Sequence, residues 1–134
     1  MRIALLCALL MGMAACAWAG GTGNVVAVQI RSDGGGMLPL YPVAAQPPNR
    51  KVYAEAVKGD QYSLIIRNLL NRRVGVVVAV DGRNIISGQK SWLGNDERMY
   101  ILEPYGVGEF KGWRTSLNRI RRFYFTDVAD SYAA

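Results

Sequence analysis

A four-residue segment between two apolar runs has three polar side chains with the chemistry of a small binding site. Asp81, Gly82, Arg83 and Asn84 place a carboxylate, a guanidinium and an amide within one turn, a set suited to a sugar or a peptide backbone. Asp-Gly between apolar runs is also a strong signal for a type I′ hairpin turn, because both central residues of that turn need positive φ. Asp81, Arg83 and Asn84 are therefore candidate binding residues, and turn geometry is the alternative explanation for them.

A second candidate site lies near the end of the chain, where a tryptophan is close to several arginines. Trp113 precedes Arg114, and Arg121 follows with Arg119 and Arg122 beside it. An aromatic plane next to guanidinium groups can stack on a sugar ring or bind an anion. The alternative is that Trp113 ends an apolar strand as a core residue, with arginine stems covering its edge. The candidate binding residues here are Trp113, Arg114 and Arg121.

Carboxylates are the remaining candidates for acid and base chemistry. Glu103, Glu109, Asp127 and Asp130 lie close together in the sequence. A pair of them about 5 to 9 Å apart would suit glycoside hydrolysis. The alternative function is accordingly a polysaccharide-active hydrolase, and the favoured function is non-catalytic.

Histidine and cysteine chemistry is excluded from residues 20–134. The chain has no histidine, and its two cysteines, Cys7 and Cys16, both fall in the first 19 residues. Without these residues, thiol nucleophiles, Ser-His catalysis and zinc sites built on Cys or His cannot form. We expect no catalytic residue, no metal site and no cofactor.

Residues 1–19 have the layout of an export signal. Arg2 precedes an unbroken apolar run over residues 3–15, and Ala17-Trp18-Ala19 matches an A-x-A cleavage site. The alternative is a lipobox at residues 13–16, in which Cys16 is lipidated. The sequence predicts a periplasmic or secreted protein, or a lipoprotein whose contact with the membrane is the lipidated Cys16.

The remaining chain is basic, which favours acidic partners. Residues 20–134 hold 15 Lys and Arg against 10 Asp and Glu, a net charge of +5. An envelope protein or an anionic envelope polymer suits this charge, whereas export argues against nucleic acid. We predict an exported domain with a binding or structural role towards such a partner.

The hydrophobic pattern predicts an all-β domain. Residues 20–49 contain one strand and then a proline-rich extended segment, and residues 50–134 form the body of the same domain. The run at residues 74–80 is apolar on both faces, which predicts a central strand. Residues 116–122 are suited to one short helical turn. Seven or eight short strands indicate a single antiparallel β-sandwich, jelly-roll or immunoglobulin-like, or a small barrel. The predicted strands lie at residues 24–31, 51–57, 61–68, 74–80, 83–88, 98–102, 107–113 and 123–126.

More than half of the chain, residues 55–132, carries a series of short motifs in a fixed order. These are EAVKG at 55–59, YS at 62–63, RV at 73–74, VDGRNI at 80–85, LEPY at 102–105, GWRTS at 112–116, RRFYFT at 121–126 and DSY at 130–132. With these motifs the chain resembles a family of uncharacterised exported bacterial proteins. The resemblance implies a compact β domain and transfers no activity and no catalytic residue.

Overall fold

The computed structural model describes residues 24–46 and 49–127, which form an all-β structure with antiparallel pairing. The all-β prediction is confirmed for this part of the chain, which contains no helix long and apolar enough to cross a membrane. It holds twelve strands, more than the seven or eight expected. They are β1 Val26–Ser32, β2 Gly36–Met37, β3 Leu40–Val43, β4 Lys51–Ala54, β5 Gln61–Asn68, β6 Val74–Val76, β7 Ala79–Val80, β8 Arg83–Asn84, β9 Tyr100–Leu102, β10 Val107–Phe110, β11 Gly112–Ser116 and β12 Arg119–Tyr124.

Strand β5 organises the largest sheet. The order of that sheet is β11-β12-β5-β1-β2, with β10 also paired to β5. Tyr62, Leu64 and Ile66 alternate along β5 and are buried on one face, as expected for a strand with one face on the core. On the same edge, β12 pairs with the beginning of β5 and β10 with its second half. The described strands leave this sheet open, so the small-barrel alternative is wrong.

One hydrophobic core joins this sheet to three two-stranded ladders, β3–β4, β6–β9 and β7–β8. The buried face of β5 shares the core with Ala54 of β4, Val80 of β7 and Leu102 of β9. Tyr62 stacks on Phe125 with ring centroids 4.2 Å apart, and Phe123 lies on its other side at 5.4 Å. Core residues therefore come from every ladder.

The run at residues 74–80 does not form a central strand. It divides into β6, which pairs with β9, and β7, which pairs with β8, while Val77 and Val78 between them belong to neither ladder. Apolar composition on both faces is common to central strands and to segments that dip into a core, and here Val78 is buried outside a ladder.

The prediction of a helical turn at residues 116–122 is also wrong. These residues form the end of β11, the turn of the β11–β12 hairpin and the beginning of β12. Trp113 pairs with Arg121, and the register shifts between Arg114 and Ser116. A single helical turn orders several residues for one hydrogen bond, whereas the hairpin extends a ladder already present. Leu117, expected on an apolar helical face, is 87% exposed at the tip.

Candidate functional site

The hairpin turn at Asp81-Gly82 forms as the sequence predicts. Asp81 has φ of 51° and Gly82 has φ of 73°, and they join the paired residues Val80 and Arg83. Glycine takes a positive φ at little cost, and aspartate is among the few other residues that tolerate it. The turn prediction is confirmed, and the three candidate side chains lie on or beside it.

Asn84 is buried and its side chain is bonded to the loop that follows it. Its Oδ1 accepts the backbone N–H groups of Ile86 at 2.8 Å and Ser87 at 3.2 Å. Its Nδ2 donates to the carbonyl of Arg98 at 2.9 Å and to Glu97 Oε1 at 3.4 Å. The amide therefore connects the two ends of the loop over residues 85–98 and is turned away from solvent.

Asp81 and Arg83 face different surroundings. Burial raises the pKa of Tyr62, and the negative charge of Asp81 raises it further. Arg83 is exposed, and its Nη1 donates to the carbonyl of Gly88 at 3.0 Å. Of the residues predicted at this turn, Arg83 is thus exposed, whereas Asn84 is buried.

Trp113, Arg114 and Arg121 are divided between two faces of the β11–β12 hairpin. Trp113 lies directly opposite Arg121, so these two share a face, whereas Arg114 lies opposite Ile120 on the other face. Trp113 is 8% exposed and packs edge-on against Phe123, with ring centroids 4.7 Å apart at 82°. Trp113 is thus a core residue, whereas Arg114 and Arg121 are both exposed.

The two candidate sites are neighbours in the fold. The backbone N–H of Arg114 donates to the carbonyl of Ile85 at 2.7 Å, which joins β11 to the loop that follows β8. Ser91 N–H donates to the carbonyl of Gly82 at 2.8 Å, which folds the far part of that loop onto the Asp-Gly turn. We call residues 81–98 together with residues 111–122 the basic region.

The net charge of the protein is concentrated in the basic region. It holds eight Lys and Arg and three Asp and Glu, a net charge of +5, and the rest of residues 20–134 is balanced at seven of each. Sequence order scatters these cations over two segments, and the fold makes the segments adjacent. The exposed cations are Arg83, Lys90, Arg98, Lys111, Arg114, Arg119 and Arg121.

Trp92, which was not among the candidate residues from the sequence, is the most exposed aromatic side chain of the basic region. Its ring is 80% exposed, and Lys90 Nζ lies 4.6 Å from the ring centroid. Glu97 Oε2 accepts the backbone N–H groups of Trp92 at 3.0 Å and Gly94 at 2.8 Å. The sequence signal that could have predicted an exposed position for Trp92 is that polar and charged residues surround it in the chain.

Glu97 holds this loop in place as a carboxylate. A hydrogen bond from Ser91 is the main cause that lowers its pKa, and the N–H groups of Gly94 and Trp92 and the amide of Asn84 add to the effect, against partial burial. A cavity of about 570 Å³ opens beside this loop. Six polar residues line it: Ser87, Gln89, Lys90, Asp96, Glu97 and Arg98.

The carboxylates considered for catalysis lie in separate ion pairs on exposed side chains. Glu103 pairs with Arg73, Glu109 with Arg31 and Asp127 with Lys58. The hydrogen bond that Glu109 accepts from Arg31 lowers the pKa of Glu109, whereas a general acid needs a raised pKa. Asp130 lies outside the described residues. Each of the three described carboxylates is therefore engaged with a cation of its own.

Comparison of the chain with protein-family models, with curated proteins and with solved structures gave no match. The resemblance to exported bacterial proteins stays a prediction.

Proposed function

We propose that the protein is an exported, non-catalytic domain that binds an anionic polymer of the cell envelope through the basic region. The observation that carries this proposal is the placement of charge: the net charge of +5 of residues 20–134 falls in the basic region, and the remainder of those residues is balanced. A region with a net positive charge attracts polyanions over distances of about a Debye length, roughly 8 Å at physiological salt.

Trp92 gives this surface an anchor besides charge. Exposed tryptophans bordered by cations are enriched where proteins make their strongest contacts, because the ring offers a large area at little entropy cost. Hydrogen bonds to Glu97 fix the backbone beneath the ring, so binding orders little additional chain. The polar cavity beside Lys90 supplies amide, carboxylate and guanidinium groups for sugar hydroxyls.

Export supplies the setting in which this surface would meet such a polymer. The export signal at residues 1–19 lies outside the described residues, and periplasmic, secreted and Cys16-anchored forms would all face envelope polymers. The hydrolase alternative gains no support from the described carboxylates, because Glu103, Glu109 and Asp127 each form an ion pair with a different cation.

The scaffold proposed for this surface is a β-sandwich. Its second layer would consist of the ladders β3–β4, β6–β9 and β7–β8 facing the β1–β5 sheet. Support comes from the shared core, to which Ala54, Val80 and Leu102 of the ladders contribute beside Leu64 and Ile66 of β5.

Titration with a defined polyanion tests the function. We expect alginate to bind and the neutral polymer dextran not to bind, with affinity for alginate falling steeply between low and physiological salt. Trp92→Ala should weaken alginate binding about tenfold, as for an anchor residue. Tyr105→Ala is the matched control, because Tyr105 is also exposed but lies outside the basic region. Equal binding of dextran and alginate would contradict the proposal.

Arginine variants test the charge argument separately. Replacing Arg114 and Arg121 together by alanine should weaken alginate binding and reduce its salt dependence. Replacing Arg72 and Arg73 together, which removes the same charge outside the basic region, should change neither. If both pairs act alike, net charge alone explains the binding. If no polyanion binds and an acidic protein is instead recovered from envelope extract, the partner is a protein.

A further inference from the structure

An apolar cavity of about 490 Å³ lies between β1, the end of β5, β6 and the segment before β9, where Leu93 and Asn95 of the basic region also line it. Its volume falls in the range of small-molecule sites, roughly 300 to 1,000 Å³. None of its lining residues belongs to the β11–β12 hairpin or to residues 81–92. Six apolar side chains show its character: Val25, Val26, Ile66, Leu70, Val76 and Val78.

The cavity results from the division of the run at residues 74–80. Val77 and Val78 leave the ladders, so no neighbouring strand closes over them. Gly75 allows the thioether of Met99 to lie across β6, in space that a Cβ at position 75 would need. Methionine is unbranched and adapts its shape to what it contacts. The Met99 side chain therefore lets this part of the cavity lining adapt to the shape of a ligand.

The polar lining of the cavity is cationic. Arg72 and Arg73 line it with Asn95, and no Asp or Glu is among its described lining residues. Arg73 Nε is 3.1 Å from Glu103 Oε1, with both side chains 67% exposed, so this pair contributes little stability and its guanidinium remains accessible. No carboxylate of the described chain forms an ion pair with Arg72.

We propose that this cavity binds a fatty acid, with the acyl chain among the valines and the carboxylate at Arg72 and Arg73. The apolar interior favours a hydrocarbon chain, because burying each methylene contributes about 0.8 kcal/mol. Two adjacent guanidinium groups favour an anionic head, because charge-assisted hydrogen bonds to a carboxylate are stronger than neutral ones. Charge complementarity thus selects an anionic amphiphile over a neutral lipid. Arg72 and Arg73, which would bind the carboxylate, lie outside the basic region, so this proposal does not depend on the proposed polymer binding.

Binding of cis-parinarate, a fatty acid whose fluorescence rises when it leaves water, is the first test on the purified full chain. We expect saturable binding that dodecanoate displaces at a concentration about tenfold lower than dodecanol does, the factor expected for a charge-assisted contact. Dodecyltrimethylammonium, with the same tail and the opposite charge, should displace it no better than dodecanol.

Two variants locate the binding. Val77→Trp should fill the cavity and abolish the fluorescence rise, because Val77 lines it without belonging to a ladder. Val107→Trp on exposed β10 is the matched control and should bind as the parent does. Arg72→Glu with Arg73→Glu should weaken binding about tenfold while the thermal midpoint stays unchanged. Arg119→Glu with Arg121→Glu is the control of equal charge and should leave binding unchanged.

Several results would overturn the proposal. Equal displacement by dodecanoate, dodecanol and the cationic amphiphile would mean nonspecific partition into an apolar surface. If the full chain binds no parinarate, the apolar run at residues 3–15 occupies the cavity instead of a fatty acid. If the protein is a dimer that Val77→Trp dissociates, a second copy covers the cavity. Loss of alginate binding alone would refute the proposed function and leave this site standing.

Discussion

Replacing Trp113 by alanine is expected to destabilise the fold strongly, in contrast to the same change at Trp92. Trp113 is 8% exposed, belongs to the core cluster and packs edge-on against Phe123 at 4.7 Å. Truncating a buried tryptophan costs about 3 to 5 kcal/mol, because the lost burial and the cavity left behind both count. The edge-to-face contact with Phe123 contributes about 0.5 to 1.5 kcal/mol in addition to the burial of apolar area. We therefore expect a destabilisation in the upper half of the range of about 3 to 5 kcal/mol.

This loss is a large part of the total stability of a small domain, which is about 5 to 15 kcal/mol. Each kcal/mol shifts the midpoint of a domain near this size by about 4 °C, so a loss of about 4 to 5 kcal/mol should lower the midpoint by about 16 to 20 °C. The assay is thermal unfolding followed by far-ultraviolet circular dichroism, with urea unfolding as a second measure.

Trp92→Ala is the matched control. The Trp92 ring is 80% exposed and its truncation leaves the backbone bonds to Glu97 in place, so we expect a change within about 0.5 kcal/mol. A Trp113→Ala protein that melts with the parent, or a Trp92→Ala protein that unfolds, would refute the reasoning that assigns one tryptophan to the core and the other to a binding surface.

Two further predictions concern the loop over residues 85–98. Asn84→Ala should lower the free energy of unfolding by about 1 to 3 kcal/mol, because two backbone N–H groups and the Arg98 carbonyl lose their partner. Unfolding in urea measures this loss. Unchanged stability would show that water replaces the amide. The pKa of Glu97 is lowered from its ordinary value of 4.5, so its contribution is complete above that pH and is lost as pH falls through the folded pKa. Trp92 fluorescence should therefore change on acidification below pH 4.5, and Glu97→Gln should remove that transition. If the transition persists in the variant, another group causes it.

Local physics accounts for what the sequence predicted correctly. The turn at Asp81-Gly82 depends on φ values that few residue types tolerate, so the dipeptide itself specifies it. Strand β5 follows from strict alternation of Tyr62, Leu64 and Ile66, which matches the period of a strand. These features need no knowledge of distant residues, and the all-β class follows from their repetition along the chain.

Strand pairing could not be predicted in the same way. The run at residues 74–80 has the composition of a central strand, but β9 pairs with its first part and β8 with its last, which separates Val77 and Val78 from both ladders. The segment at residues 116–122 matches one turn of helix locally, and the partner strand β11 overrides that preference. Pairing depends on segments that are remote or compete for the same hydrogen bonds, which hydrophobic periodicity does not reveal.

The chain by itself determined its total charge, its lack of histidine and the chemistry excluded from residues 20–134, because these depend on composition alone. The tertiary structure decided which tryptophan is buried and which is exposed, since Trp92 and Trp113 both stand beside cations in the sequence. It also decided the faces of Arg114 and Arg121, which strand register sets. The gathering of the net charge in one region likewise required the fold, because contacts such as Arg114 to Ile85 join segments that the sequence separates.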